Sequence, residues 1–156
     1  MITLQTKKIT SKNFTAFGQL VSIPLKKPTA QGKTYRFWSD IARYTIDGET
    51  EIGLCTVYKN EKNLITGLER HLYTPEILIP VDDAFVLPVL KEGEPLAAAA
   101  SFRIEIGQAV VINQAVWHGA CIPASLLESS YFVIFKRKTP DKDVELKDIE
   151  SMQIRF

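Results

Sequence analysis

The sequence predicts an all-β domain, and three observations carry this prediction. From Ala42 onward, apolar and polar residues alternate with a period of two in several short runs, which is typical of strands that turn one face to a core. The gaps between these runs are short and rich in glycine, asparagine and aspartate, the residues that tight turns favour. No run is followed by a long amphipathic helix, so an antiparallel barrel or sandwich is favoured over a parallel α/β sheet.

The size and composition fit one globular unit. A chain of 156 residues is long enough for one hydrophobic core and is expected to form a single domain, residues 1–156. The hydrophobic fraction of 46% is ordinary for such a domain. No repeat, low-complexity segment or linker indicates a domain boundary.

Charge and hydropathy exclude several classes of partner. A net charge of +1 favours neither nucleic acid nor an acidic membrane surface. No apolar run approaches the roughly 20 residues of a membrane span, and the N-terminus has no apolar signal-peptide core. Cys55 and Cys121 lie in apolar runs without CxxC spacing, which indicates buried free thiols. A reduced, cytoplasmic location is therefore expected.

The N-terminal region predicts a short helix followed by a loop. Thr10 can cap the helix, and Gly18 can end it in a left-handed conformation. Phe14 and Phe17 would then share a face and dock on the core. Residues 22–34 contain two prolines and several lysines, which predicts an exposed loop.

The remaining strands are assigned from the alternation and the turn residues. Residues 42–46 and 50–58 flank Asp47-Gly48 and predict a hairpin, because this pair tolerates the positive φ angles of a tight turn. Residues 76–81 and 84–90 flank Asp82-Asp83 and predict a second hairpin. Further strands are expected at residues 104–106, 109–112, 116–122 and 131–136, with an edge strand at 152–156 and no assignment for the alanines at 97–100.

The two histidines of the chain lie in its two most informative stretches. In Glu69-Arg70-His71 the glutamate and the histidine are two residues apart, so on a strand both side chains point to one face. A turn at residues 73–75, which includes a proline, would bring Glu76 back to them. His118 follows a turn at Asn113-Gln114 and lies early on the next strand.

These stretches resemble the paired signatures of the cupins, small β-barrels with a ligand or metal pocket in the mouth. The first signature contains a glycine, His-x-His and then a glutamate, and the second has a glycine with a histidine eleven residues later. His71, Glu76 and the pair Gly107 and His118 match this spacing, while Glu69 replaces the first histidine. The resemblance implies a cupin-like double-stranded β-helix barrel with a short N-terminal helix.

Metal-binding cupins use these four positions as ligands. Two neutral imidazoles and two carboxylates suit Mn, Fe, Ni or Zn. The resemblance therefore implies a divalent metal held by His71, Glu76 and His118. The alternative is that each histidine is a structural residue held by hydrogen bonds and does not bind a metal.

The chain also resembles the ureidoglycolate lyase family of allantoin catabolism over most of its length. The segments that carry the resemblance are Phe14-Thr15-Ala16-Phe17-Gly18, Glu69-Arg70-His71, Ile79-Pro80-Val81 and Val116-Trp117-His118. It implies a homodimer that splits ureidoglycolate, a small-molecule substrate, into glyoxylate and urea. Glu69, His71 and His118 would be catalytic, and Arg36, Trp117 and Glu76 would bind substrate.

Two of these roles have structural alternatives. The planar guanidinium of Arg36 matches a carboxylate bidentately, but the residue also fits a solvated loop. Trp117 can wall a pocket or pack in the core. On a regular strand Arg70 points away from Glu69 and His71, to the surface or to a dimer interface.

The chain departs from the family pattern at several positions. The Arg-Tyr-His-Asp stretch of the family appears as Arg36-Phe37-Trp38-Ser39-Asp40, without the histidine. Gly119 stands where members often have a second histidine, and Glu76 stands where they tend to have glutamine. Two alternatives stay open: a non-catalytic cupin that binds a small molecule, and another metal-dependent cupin enzyme such as an isomerase.

Overall fold

The strands, along which apolar and polar residues alternate, form two sheets that face each other across a shared core. The computed structural model describes residues 1–156. The strands are β1 (Ile2–Gln5), β2 (Lys7–Lys8), β3 (Gly18–Val21), β4 (Ala30–Gln31), β5 (Arg36–Phe37), β6 (Thr50–Tyr58), β7 (Leu64–Arg70), β8 (Glu76–Pro80), β9 (Phe85–Leu90), β10 (Ala100–Ile104), β11 (Ala109–Ile112), β12 (Trp117–His118), β13 (Ile122–Pro123), β14 (Glu128–Lys136) and β15 (Glu145–Arg155). The helices are α1 (Ser11–Phe14), a 3₁₀ turn at Leu96–Ala98 and α2 (Thr139–Lys142).

The sheets are almost entirely antiparallel. The first has the order β1-β15-β7-β12-β9-β10-β2, with β13 beside β9, and the second has the order β3-β11-β8-β14-β6. Only the pairs β1 with β15 and β10 with β2 are parallel. Strands β4 and β5 pair only with each other. The prediction of a mainly β barrel with a short N-terminal helix is confirmed. None of the helices is long and apolar enough to cross a membrane.

The first sheet is covered on both faces, and this explains why β9 is buried along its whole length. Phe85, Leu87 and Val89 point into the main core between the sheets. Val86 and Leu90 point the other way, into a second apolar cluster on the back of the first sheet. Side chains that alternate between two buried faces give a continuous apolar run.

The N-terminal helix forms as expected, but its end differs from the prediction. Thr10 and Asn13 make a reciprocal capping box, and the rings of Phe14 and Phe17 lie 5.3 Å and 5.8 Å from the ring of Phe102. Gly18 is not a left-handed cap. It begins β3, where a Cβ atom would lie 1.8 Å from the carbonyl oxygen of Val111, so close backbone approach requires the glycine.

Both predicted hairpins are wrong, although three of their four strands exist. Residues 42–46 are irregular, so β6 has no partner on that side of the turn. β8 and β9 lie in different sheets. The connection between them therefore crosses from one sheet to the other. In it, the carboxylates of Asp82 and Asp83 accept hydrogen bonds from the backbone of Ser130 and of Ser125, respectively.

The charged C-terminal tail forms the longest strand of the molecule. β15 pairs with β7 on one side and with β1 on the other. The strand expected at residues 152–156 therefore exists, but it begins at Glu145 and is not an edge strand. Only Met152 and Ile154 of this strand are buried. The sequence does not predict most of this strand, because one face of β15 is open to water and carries charged residues. Both cysteines are free, as predicted.

A prediction concerns the acid stability of the barrel. The buried Asp83 carboxylate accepts hydrogen bonds from the backbone amides of Ser125 and Leu126 at 2.8 Å and 2.9 Å. Burial alone would raise the pKa of Asp83, but these hydrogen bonds outweigh burial and hold the pKa below its usual value. Its stabilising effect is therefore present above the unfolded-state pKa of about 3.9 and is lost as the pH falls through the lower folded-state pKa.

Replacing Asp83→Ala should lower the free energy of unfolding at pH 7 by about 1–3 kcal/mol, because it leaves two amides without a partner. Urea unfolding between pH 2 and pH 7, read as roughly two-state, should also show a weaker acid dependence. Asp47→Ala, at an exposed turn, is the control. Equal losses in the two variants would contradict the prediction.

Candidate functional site

The site forms where the two sheets meet at one end of the barrel. Glu69 lies near the end of β7, and His71 follows that strand directly. His118 lies on β12 and is paired in register with Glu69. The chain turns through residues 72–75 and crosses to the second sheet, where Glu76 begins β8. The turn at residues 113–116 places His118, as expected, and the amide of Ala115 donates to the carbonyl oxygen of His71 at 2.7 Å.

The four side chains converge. Oε2 of Glu76 lies 3.1 Å from Nε2 of His118 and 3.7 Å from Nε2 of His71. The two imidazole centroids are 5.4 Å apart. Oε1 of Glu69 lies 3.9 Å from Nδ1 of His118. His71, Glu76 and His118 are buried, whereas the Glu69 side chain is 40% exposed. Glu69 therefore stands between the buried group and solvent.

Three buried atoms of this group have no hydrogen-bond partner: Nε2 of His71, Nε2 of His118 and Oε2 of Glu76. The 3.1 Å contact lacks the angles of a hydrogen bond, so distance alone does not satisfy these atoms. An unsatisfied buried polar atom costs about 1–3 kcal/mol, and here three such atoms face one point. Convergent unsatisfied groups of this kind are typical of a ligand-binding site.

Asp143 fixes the orientation of His71. Nδ1 of His71 lies 2.7 Å from the carbonyl oxygen of Asp143, and since a carbonyl only accepts, Nδ1 must carry the hydrogen. When the ring is neutral, Nε2 therefore presents its lone pair to the site. The Asp143 carboxylate also accepts from the amides of Leu72 and Tyr73, both at 2.8 Å.

Asp143 was not identified from the sequence. It lies in a charged stretch without motif or periodicity, at the junction between α2 and β15. The sequence contains no signal that this carboxylate meets residues 71–73, because the contact spans about half the chain and depends on β15 pairing with β7.

The site holds opposite charges out of water. Burial acts to lower the pKa of His71, but the neighbouring Glu76 carboxylate outweighs burial and raises this pKa to about 9. Burial acts to raise the pKa of Glu76, and its interactions with His118 and His71 outweigh burial, so this pKa lies below its usual value. At neutral pH Glu76 is therefore ionised and the metal-free His71 ring is protonated.

The donor set fits a divalent cation. Ligand atoms of Glu69, His71 and His118 lie within 4.8 Å of one another, and the unsatisfied Oε2 of Glu76 adds a second carboxylate oxygen. Imidazole nitrogens together with carboxylate oxygens are ligands that Mn, Fe, Ni and Zn accept. This three-residue group shares His71 and His118 with the metal set expected from the sequence but contains Glu69 in place of Glu76.

The structure does not bring Trp117 to the imidazoles. Its side chain points to the opposite face of β12 from His118 and packs in the second apolar cluster. There the indole nitrogen donates to Glu92 at 2.6 Å, and the guanidinium of Arg70 lies 4.3 Å from the ring centroid. Arg70 points away from Glu69 and His71, as expected, but its side chain is largely buried and ion-paired with Glu92 and Glu145.

Arg36 also lies outside the group of four. It belongs to β5, on an exposed hairpin that pairs with neither main sheet. Its guanidinium lies 5.6 Å from the ring centroid of Trp38 and makes no ion pair within the chain. A contact between Arg36 and substrate stays a prediction.

A small antiparallel barrel with two histidines and two glutamates at one end is the arrangement of a cupin. One solved structure shares this fold. The dTDP sugar isomerase from Desulfovibrio desulfuricans G20 has a TM-score of 0.53 at 15% identity, with 82% of each chain covered. The formate complex of Lactobacillus farciminis oxalate decarboxylase has a TM-score of 0.48 at 14% identity over 63% of this chain. The chain spans about a quarter of that protein, 26%.

The chain belongs to the ureidoglycolate lyase family. The model of this family, described as ureidoglycolate lyase, matches residues 1–155. A protein named ureidoglycolate lyase 2, from Rhizobium meliloti (strain 1021), is 30% identical over 149 residues, which cover 88% of this chain and 87% of that protein. The family and the cupin-like barrel expected from the sequence are therefore both confirmed.

A second prediction tests how His71 is positioned. Asp143→Ala frees the amides of Leu72 and Tyr73, so the backbone turn that holds His71 should loosen. In ¹⁵N-labelled protein the Nδ1 proton of His71, protected by its hydrogen bond, should give a resolved imidazole resonance that broadens or disappears in the variant.

Asp141→Ala is the matched control, because Asp141 is an exposed neighbour on α2 whose side chain makes no hydrogen bond. This control should keep the resonance. An unchanged His71 signal in Asp143→Ala would show that the carboxylate does not position the ring.

Proposed function

We propose that the chain is a ureidoglycolate lyase that splits ureidoglycolate into glyoxylate and urea. Membership of the family supports this proposal. The observation that carries it is the convergence of the unsatisfied Nε2 atoms of His71 and His118 and Oε2 of Glu76 beneath the partly exposed Glu69. Such a group can bind a small polar substrate and move one proton.

The reaction requires one proton transfer and no redox partner. In ureidoglycolate one carbon carries a carboxylate, a hydroxyl group and a urea nitrogen. Removing the hydroxyl proton lets the oxygen form a C=O bond, while the electron pair of the C–N bond leaves with the nitrogen. That nitrogen must gain a proton to become urea, so atoms and charge balance without added water.

Glu69 is the proposed proton carrier. Its carboxylate is the exposed member of the group and faces a cleft of about 260 Å³ that His118 also lines. As the base it takes the hydroxyl proton, and as the acid it returns that proton to the departing nitrogen. Nδ1 of His118 lies 3.9 Å from this carboxylate. His71 and Glu76 complete the polar floor on which the substrate sits.

A divalent metal fits the same floor. His71, Glu76 and His118 would hold it, and when bound it would supply a Lewis acid that lowers the pKa of a coordinated hydroxyl group. The hydrogen bond from Nδ1 of His71 to Asp143 presets the ring for this role, since ligand histidines commonly donate their other N–H to a carbonyl or carboxylate.

A third prediction concerns metal binding. His118→Ala removes one of the two imidazoles and should weaken binding of Mn²⁺ or Zn²⁺ by at least about 100-fold, measured by isothermal titration calorimetry. Glu128→Gln, at an exposed strand end, should bind as the unaltered protein does. Equal affinity in the two variants would remove His118 from the ligand set.

A fourth prediction concerns proton transfer. Glu69→Gln keeps the size and polarity of the side chain but cannot accept the proton, so kcat for glyoxylate release should fall by about 10²–10⁴. KM should change little, and circular dichroism should show the native fold because Glu69 is partly exposed. Glu128→Gln serves again as the control. A kcat within a factor of two of the unaltered enzyme would exclude Glu69 as the base.

A non-catalytic, ligand-binding cupin is the second candidate. The front segment with Arg36 lacks the family's histidine, Gly119 stands in place of another, and Arg36 lies outside the site. Elemental analysis together with a glyoxylate-release assay separates the cases. Metal without glyoxylate indicates another cupin enzyme, such as an isomerase, and neither metal nor product indicates a binding protein.

A further inference from the structure

Residues 22–46 form an extension that we call the arm. It contains the β4–β5 hairpin, which pairs with neither main sheet. None of its residues is buried. It is attached to the barrel through Gln19, whose side chain exchanges two hydrogen bonds with the backbone of Arg43 at 2.6 Å and 3.0 Å.

The arm is structured although none of its side chains is fully buried on its own chain. The indole nitrogen of Trp38 donates to the carbonyl oxygen of Lys26 at 2.8 Å, and the amide of Thr29 donates to Phe37 at 2.7 Å. Its exposed apolar side chains are Ile23, Leu25, Tyr35, Phe37, Ile41 and Tyr44. Fixing a backbone costs conformational entropy, and an exposed apolar surface of this kind marks a contact with another molecule.

The arm and the site mouth have opposite charges. Residues 22–46 contain five basic side chains and one acidic, whereas residues 141–150 contain five acidic and two basic. Two of these acidic side chains, Glu145 and Glu150, are paired with Arg70 and with the N-terminal amine. This stretch runs into β15 and borders the cleft of Glu69 and His118, to which it contributes Leu146, Lys147 and Asp148. Leu146 is 78% exposed. The mouth thus offers an acidic border with an apolar residue to a basic segment with apolar residues.

The cleft has no free cation that the structure directs toward the reacting groups. Arg70 is neutralised by Glu92 and Glu145 and points to the other face of its strand. Lys147 belongs to the cleft lining, but its ammonium group lies 5.4 Å from the centroid of the Trp117 ring. The arm carries Arg36, which has no ion pair. A carboxylate-bearing substrate is bound most strongly by a guanidinium.

We infer that, in the homodimer that the family resemblance implies, the arm of one copy covers the cleft of the other, so that Arg36 of the partner subunit meets the substrate carboxylate. The placement of the arm is inferred from its exposure and its charges. The role of Arg36 depends in addition on the proposed function. Each cleft is then complete only in the presence of the second chain.

The dimer is tested on the full chain by size-exclusion chromatography with light scattering. The unaltered protein should be a dimer whose dissociation constant rises with salt, and Leu25→Asp should weaken it at least tenfold. Leu127→Asp is the matched control, because Leu127 is also exposed, at 82%, but lies on neither surface. A monomer at all concentrations, or equal weakening by both substitutions, would overturn the inference.

The exposed face of β6 and β14 is the competing interface, since Leu54 and Phe132 are 62% and 42% exposed there. Leu54→Asp should leave the dimer intact. A dimer that Leu54→Asp dissociates and Leu25→Asp does not would place the contact on that face and overturn the role of the arm.

The placement of Arg36 is tested without any activity. A chain with Arg36→Cys and a chain with Leu146→Cys are mixed and oxidised, and a covalent heterodimer should form on a non-reducing gel. Each chain alone, and a mixture with Leu127→Cys in place of Leu146→Cys, should not give that product in comparable yield. Absence of the heterodimer would overturn the placement even if the protein proves to be an active lyase.

The catalytic role of Arg36 is tested by subunit complementation. Arg36→Ala and His118→Ala should each be inactive alone, whereas the mixture should regain up to about a quarter of the original activity, because half of the dimers are mixed and each has one complete site. Cross-linking without restored activity would leave the arm contact standing and remove Arg36 from substrate binding. An unaltered chain without lyase activity would instead refute the proposed function.

Discussion

The buried carboxylate of Glu76 is the constraint on which the rest of the site depends. Its charge is removed from water where the two sheets meet, and a carboxylate buried alone would take up a proton. Instead the pKa of Glu76 lies below its usual value, because His118 and His71 are held beside it. The barrel must therefore supply two imidazoles from one sheet to a carboxylate from the other. This requirement ties the closure of the barrel to the chemistry at its end.

Contacts outside the site hold these side chains in position. β15 pairs with β7, and at its start Asp143 holds the turn that follows β7 by three hydrogen bonds. On the opposite face Trp117 is fixed by Arg70 and Glu92, which in turn fixes the strand that carries His118. A largely buried arginine with two carboxylates and an aromatic ring gives a specific arrangement, which a purely apolar contact would not.

The same arrangement of strands determines which chemical groups lie in the site and which do not. It brings together bases and candidate metal ligands, but no free cation for the carboxylate of a substrate. The basic arm, none of whose residues is fully buried, and the acidic border of the cleft are two exposed surfaces of opposite charge. A dimer that joins them would satisfy both, and the proposed chemistry and the proposed assembly would then depend on each other.

The sequence by itself determined the all-β class, the capped N-terminal helix and the four residues of the site, because these follow from local periodicity and from spacing along a strand. It could not determine that β8 and β9 belong to different sheets, that β15 is a long strand, or that Gly18 is needed for close packing against Val111. Those features depend on which strands pair, a choice made by contacts between residues far apart in the chain. For the same reason only the tertiary structure placed Asp143 on His71, turned Trp117 away from the site and left Arg36 on an exposed arm.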